Sequence, residues 1–191
     1  MSRKGIGTIL AKKKQTTPLT RCNGTMTESQ YLAWIRSTLR SKSLRWPPRN
    51  TALELARRPY SGPKKQQKWE YQCAICSEWY KLKDVVVDHF PCEAGSILSV
   101  EDIGPFAERL YCEATNLRVL CEWDHRIHTY MSSHEGTDRE TTILELRVND
   151  VMKDKKKVLQ LLEEHGMIAK NDEQRKQALK IILSKDTTKE K

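Results

Sequence analysis

Four residues in the middle of the chain have the types and spacing for acid–base and metal chemistry. Asp88 and His89 are adjacent, Asn116 lies further along, and His125 is nine residues after Asn116. An imidazole can take a proton from water at neutral pH, and a carboxylate with an imidazole can hold a divalent cation. An amide can orient the imidazole. These are the parts that metal-assisted hydrolysis of a phosphodiester requires.

The cysteines indicate a second metal site. Cys73 and Cys76 form a Cys-x-x-Cys pair, and Cys121 lies just before His125; the chain has six cysteines in all. The N-terminus lacks the apolar stretch of a signal peptide, and no run is long and apolar enough to cross a membrane. We therefore expect a cytoplasmic protein whose cysteines are thiols or metal ligands.

Capping and periodicity signals predict the elements that position these residues. Thr27 and Gln30 spell a capping box, Trp46-Pro47-Pro48 ends the first helix, and Gly166 and Asn171 mark the ends of later ones. Helices are predicted over 28–42, 49–58, 103–110, from 121–124 onward, 150–165 and 172–184. Strands are predicted over 69–75, 79–87 and 117–120.

The spelling V-V-V-D-H-F-P at residues 85–91, followed by N-L-R-V-L-C-E-W-D-H-R-I-H-T at residues 116–129, resembles the HNH endonucleases. These are the ββα-metal nucleases, and the chain resembles in particular the small HNH proteins encoded by tailed phages. Two predicted helices separated by R-W-P-P lie before the Cys-x-x-Cys pair, as in the phage proteins. This arrangement extends the resemblance over about residues 28–130. It implies an α+β fold: a ββα-metal core with a zinc-knuckle-like cysteine cluster, flanked by N-terminal and C-terminal helices.

The resemblance also implies roles. His89 would be the general base, and Asn116 would fix its ring or brace the loop that presents it. Asp88 and His125 would hold one cation (Mg²⁺, Mn²⁺, Ni²⁺ or Zn²⁺). His128 stands where much of the family has Lys. It lies one helical turn after His125, so it can either face the same metal or replace a phosphate-contacting cation, and the second reading is slightly favoured.

The resemblance implies a structural zinc site as well, but its second knuckle is altered. The phage proteins usually carry two Cys-x-x-Cys pairs, whereas here Asp124 takes the fourth position. Cys92 or Cys112 can supply a fourth thiolate instead, or the cysteines can pack as small apolar groups without zinc. Bound zinc is favoured because so small a domain has little other core. The predicted zinc ligands are Cys73, Cys76, Cys121 and Asp124.

Charge is unevenly distributed. Residues 1–72 carry a net +13, residues 73–130 a net −5 and residues 131–191 a net +1. A basic segment joined to an acidic centre suits a nucleic-acid enzyme, because cations neutralise phosphates. The predicted DNA contacts are Arg36, Arg40, Lys42, Arg45, Trp46, Arg49, Lys64 and Lys65.

Four segments follow: a flexible basic arm over 1–26, a helical DNA-contacting region and linker over 27–68, the nuclease core over 69–130, and a helical extension over 131–191. We expect a metal-dependent DNA endonuclease that nicks or cuts both strands, with a homing or genome-processing and packaging role. The alternative is a decayed HNH scaffold that binds DNA without cutting it. The C-terminal helices can mediate homodimerisation or bind a phage or host protein. His134 and His165 are expected to be surface residues.

Overall fold

A computed structural model of the chain describes residues 17–64, 66–90 and 95–186. The fold is mixed α+β, as predicted, with many helices and two small sheets. The helices are α1 (Glu28–Ser43), α2 (Pro47–Leu55), α3 (Ile103–Leu110), α4 (Glu122–Ser133), α5 (Arg139–Met152), α6 (Lys155–Glu164) and α7 (Asp172–Asp186). The strands are β1 (Arg57–Pro59), β2 (Trp69–Gln72), β3 (Trp79–Tyr80), β4 (Val85–His89) and β5 (Leu117–Cys121).

The chain divides into two compact units. The first comprises residues 1–50 and 89–116, and the second comprises residues 51–88 and 117–191. The N-terminal sixteen residues of the expected arm lie outside the described residues. The remainder of that segment contains an antiparallel bridge between Arg21 and Met26, and the Arg21 guanidinium pairs with Glu28.

In the first unit, α1 and α3 enclose the core. The predicted capping box is present: Thr27 N–H donates to Gln30 Oε1 (2.9 Å), and Gln30 N–H donates to Thr27 Oγ1 (3.2 Å). This pairing satisfies amides that otherwise have no partner at a helix start. The core consists of Leu32, Ile97, Phe106 and Leu110.

Trp46 secures the turn after α1. Its indole N–H donates to the Cys112 carbonyl (2.8 Å), and its ring meets the edge of Tyr111. Pro47 opens α2, at a position where its missing N–H costs no hydrogen bond. The prediction of a helix over 49–58 was wrong at its end, because residues 57–59 form β1 instead.

The second unit holds the sheets. β1, β2 and β3 form an antiparallel sheet in that order, and β4 pairs with β5. The prediction of a single strand over 79–87 was wrong, because a 3₁₀ turn at Leu82–Asp84 separates β3 from β4. β4 extends beyond the predicted end and therefore includes Asp88 and His89.

The C-terminal helices are more numerous than predicted. The prediction of a single helix over 150–165 was wrong, because α5 ends at Met152 and α6 begins at Lys155. Asp154 causes the break, since its carboxylate accepts from the amides of Lys156 (3.0 Å) and Lys157 (3.3 Å) and so caps a new helix. Most of α5 was not predicted at all.

The ends of the last two helices match the predictions. Gly166 has a φ of +63°, and the amides of Gly166 and Met167 donate to Glu163 and Leu162, which closes α6 in a Schellman motif. Asn171 caps α7 by accepting from the Gln174 amide (2.9 Å). Within the described residues, no helix is both long and apolar enough to cross a membrane.

A core cluster joins α5, α6 and α7 through apolar side chains that alternate at helical spacing. Its buried members are Val148, Val151, Val158, Leu162, Ala178, Leu179 and Ile182. Each helix buries one apolar stripe, and packing rather than helix propensity therefore holds these three helices together.

Leu179→Ala should lower the free energy of unfolding by about 2–5 kcal/mol, because Leu179 is fully buried and its truncation leaves a cavity. Ile181→Ala on the same helix is the control: Ile181 is 43% exposed, and its loss should cost less than about 1 kcal/mol. Urea denaturation measures both. Equal losses would contradict the packing described for α7.

Candidate functional site

Three cysteines and an aspartate form a compact group of potential metal ligands. One ligand atom from each of Cys73, Cys76, Cys121 and Asp124 lies within 4.8 Å of all the others. Cys73, Cys121 and Asp124 are buried, whereas Cys76 is exposed. Three sulfurs and one carboxylate oxygen suit a tetrahedral ion, and the group can hold a metal.

Two local structures present these ligands. The turn after β2 is closed by amides of Cys73 and Ser77, which donate to Glu78 (2.9 Å) and Cys73 (2.9 Å), and Ser77 takes a φ of +63°. The other two ligands lie where β5 meets α4. Cys121 is the N-cap of α4, and its sulfur accepts from the amide of Asp124 (3.3 Å).

Asp124 is 1% exposed, so its charge requires close partners. Its Oδ2 accepts from the thiols of Cys73 (3.2 Å) and Cys121 (3.3 Å), and its Oδ1 accepts from Arg139 at the start of α5. Burial alone would raise the pKa of Asp124, but the hydrogen bonds from Arg139 and the thiols outweigh burial and lower it. The carboxylate is therefore ionised, with one oxygen turned toward the sulfurs.

Burial raises the pKa of the Cys121 thiol to about 12 and also raises that of Cys76. Tyr80, whose hydroxyl lies 3.5 Å from the Cys76 sulfur, has its own pKa raised chiefly by that hydrogen bond. A buried thiol that favours its neutral form becomes a thiolate when a cation takes the place of the proton.

The other cysteines predicted as alternative ligands have different surroundings. Cys112 lies 3.8 Å from the Asn116 carbonyl, toward which its thiol points, and Cys92 lies outside the described residues. The fourth member of the compact group is Asp124.

A second group gathers around Asp88, whose side chain is 11% exposed. His125 Nε2 lies 4.0 Å from Asp88 Oδ1, and His128 Nδ1 lies 3.6 Å from Oδ2. Both histidines belong to α4 and are one turn apart, so they face the same carboxylate. Arg118 on β5 donates to Oδ2 from Nη2 (3.1 Å) and Nε (3.3 Å).

Carboxylate and imidazole are groups that can ligate divalent cations, but around Asp88 they are not gathered as closely as the ligands of the cysteine group. Two ligand atoms about 2.0–2.2 Å from one ion stand roughly 3–3.4 Å apart, so the imidazoles need to approach Asp88 by less than about 1 Å. The Arg118 guanidinium already neutralises the same carboxylate, and a cation would share it with that side chain.

His89 and Asn116 are placed by main-chain hydrogen bonds within the first unit. His89 Nε2 lies 3.1 Å from the Leu110 carbonyl, and the Phe90 amide donates to the Asn116 carbonyl (2.9 Å). The Asn116 side chain accepts from Thr115 (3.2 Å) rather than contacting the imidazole through a hydrogen bond. Asn116 therefore braces the chain next to His89 through its backbone.

The predicted DNA-contacting residues differ in how far their side chains are exposed to solvent. Arg40, Lys42, Arg45 and Lys64 are exposed, Arg36 and Arg49 are half-buried, and Lys65 lies outside the described residues. The Trp46 indole is bonded to Cys112 and packed on Tyr111, so its first role is structural.

His134 and His165 are exposed, as predicted. Each Nδ1 lies 2.9 Å from the carbonyl four residues earlier.

Sequence reasoning missed Arg118 and Arg139. Arg118 alternates with buried Leu117 and Val119 along β5, a signal that its side chain faces the other side of the strand. Arg139 had no such signal, because the helix that carries it was not predicted.

Neither a family model nor a curated protein nor a solved structure matches this chain.

Arg139→Gln should weaken metal binding at the cysteine group about 10–100-fold, with Zn²⁺ as the probe ion, because Asp124 loses the partner that orients it. In an Asp124→Cys background, where the fourth ligand needs no such partner, the same change should leave the affinity within about twofold. Competition with a colorimetric chelator measures both.

Arg126→Gln is the matched control. Arg126 joins α4 to α5 through Asp150 (2.9 Å) without touching Asp124, so its loss should not alter Zn²⁺ affinity in either background. Equal weakening by Arg139→Gln in both backgrounds would mean that Arg139 acts through helix packing instead.

Proposed function

We propose that the chain is a metal-dependent endonuclease that hydrolyses phosphodiester bonds in DNA, with zinc at the cysteine group as a structural ion. The observation that carries the proposal is the pair of α4 imidazoles beside the nearly buried Asp88 carboxylate. One carboxylate and two imidazoles on neighbouring elements are residue types that ligate divalent cations, and this supports the proposal. The resemblance to HNH endonucleases supplies the reaction.

His89 is the proposed general base. The Leu110 carbonyl can only accept a hydrogen bond, so the nitrogen facing it, Nε2, carries the proton in the neutral ring. Nδ1 then has the lone pair, and it takes a proton from the attacking water. The hydrogen bond from Phe90 to Asn116 limits movement of the chain beside this ring.

Asp88, His125 and His128 are the proposed ligands of the catalytic cation. When bound, a divalent cation would neutralise charge on the phosphate and assist the departing oxygen. Arg118 holds the Asp88 carboxylate in place, and it limits the negative charge that the two imidazoles face.

One observation favours a second candidate function. An Asp–Arg pair that is 11% and 16% exposed is also what a purely structural ion pair looks like. If Arg118 is the permanent partner of Asp88, the chain is a zinc-stabilised DNA-binding protein without hydrolytic activity.

His89→Ala should lower the rate of supercoiled-plasmid cleavage by about 10²–10⁴-fold in Mg²⁺, Mn²⁺ or Ni²⁺, because the water loses its proton acceptor. His165→Ala removes an exposed histidine elsewhere and should cleave at the wild-type rate. Cleavage that survives His89→Ala would refute the assignment of the base. Plasmid binding by the wild type without cleavage in any metal would establish the DNA-binding alternative.

His128→Ala should raise the Mn²⁺ concentration needed for half-maximal cleavage, and His128→Lys should raise it equally, since neither side chain ligates as imidazole does. A metal titration of the cleavage rate measures this. If His128→Lys restores wild-type metal dependence while His128→Ala raises only the plasmid concentration required, then His128 is a phosphate contact instead.

A further inference from the structure

A cleft of about 810 Å³ lies in the second unit, and its lining includes none of the candidate metal ligands. One wall is the loop between β1 and β2, which is closed by the Tyr60 amide on the Lys68 carbonyl (3.1 Å). The other wall is the segment that follows β3. Four lysines from the two walls line it: Lys64, Lys68, Lys81 and Lys83.

These lysines make the cleft positive. Among the described residues, Lys64, Lys68 and Lys81 take part in no ion pair, and Lys83 lies 3.8 Å from the exposed carboxylate of Asp84. Lysines on a convex surface are individually solvated, but a concave arrangement concentrates their potential and attracts polyanions.

The cleft also contains apolar side chains. Trp69 is 39% exposed and Leu82 is 54% exposed, and both line the cleft. The Arg57 guanidinium lies 4.4 Å from the centre of the Trp69 ring and helps to hold the indole in place. An accessible indole and several ammonium groups in one cleft match the two parts of a nucleotide, a flat base and a phosphate.

A buried acceptor lies in the same wall. Gln67 Oε1 is buried and has no hydrogen-bond partner among the described residues, while its Nε2 donates to the Trp69 carbonyl (3.5 Å). A buried amide oxygen ordinarily has a donor. The Gln67 amide therefore has an unused acceptor in the wall of the cleft.

We propose that this cleft binds a single strand of nucleic acid, with phosphates at the lysines and a base against Trp69. A single strand is favoured over a duplex because only an unstacked base offers its face to an indole. The inference deepens the proposed nuclease function and rests on it: the cleft would hold a strand separated from its complement during or after cleavage.

The first test is salt-dependent binding of a fluorescent single-stranded oligonucleotide to the full-length protein, by anisotropy without added divalent cation. Each lysine that contacts a phosphate contributes about 0.7 to the slope of log affinity against log salt. A Lys81→Gln, Lys83→Gln double variant should therefore lower the slope by about 1.4. The control is Lys155→Gln, Lys156→Gln on α6, which removes the same charge from exposed positions and should leave the slope unchanged. Equal slopes for the two double variants would overturn the proposal.

The second test concerns the indole. Trp69→Ala should weaken single-strand binding about tenfold or more, and Trp69→Phe should retain most of the affinity because it keeps an aromatic face. Duplex of the same sequence should lose less than twofold in either variant. Circular dichroism melts verify that both variants fold. Equal losses for single strand and duplex, or displacement of the oligonucleotide by a free mononucleotide at the same nucleotide concentration, would overturn the proposal.

Failure of the nuclease proposal is separable from failure of this one. If plasmid is not cleaved but the cleft variants still lower the salt slope, the nuclease proposal fails and the cleft proposal stands. The protein would then bind nucleic acid without cutting it. Cleavage with no effect of the cleft variants on single-strand binding would refute the cleft alone.

Discussion

The second unit depends on one buried carboxylate. Asp124 is almost wholly removed from solvent, and an isolated charge in such a place would cost several kcal/mol. Its partners come from three parts of the chain: the turn after β2, the end of β5, and the first residue of α5. A basic residue at a helix N-terminus is disfavoured by the helix dipole, so the position of Arg139 is explained by Asp124 rather than by the helix itself.

Helix α4 connects the two candidate metal centres. Asp124 and His125 are consecutive, so their side chains leave the helix about 100° apart and face different neighbours. Asp124 faces the sulfurs, and His125 with His128 faces Asp88. A small rotation of α4 would therefore alter both groups at once, and a well-held Asp124 helps to fix the distance between the imidazoles and Asp88.

Several helix ends could be predicted from the sequence, because the signals that specify them act within a few residues. The capping box at Thr27, the glycine that ends α6 and the asparagine that begins α7 all have mechanisms confined to one helix end. The compact cysteine and aspartate group was also predicted, though from resemblance rather than geometry.

What could not be predicted depends on contacts between distant segments. α5 is rich in β-branched residues, which lower helix propensity, and packing of Leu146, Val148 and Val151 supplies its stability instead. The break at Asp154 was hidden because lysines and leucines continue the helical pattern past it. That His128 faces Asp88, and that Arg118 shares the same oxygen, follows from the pairing of β4 with β5, which no local signal specifies.

The cysteine group has a practical consequence for how any activity of this protein is interpreted. A strong chelator would remove an ion held by Cys73, Cys76, Cys121 and Asp124, and it would equally remove the cation proposed at Asp88. The knuckle would then loosen, and α4 would lose the support of its first turn. Inactivation by such a reagent would thus combine partial unfolding with loss of the proposed catalytic ion. Adding each metal back separately tells the two effects apart.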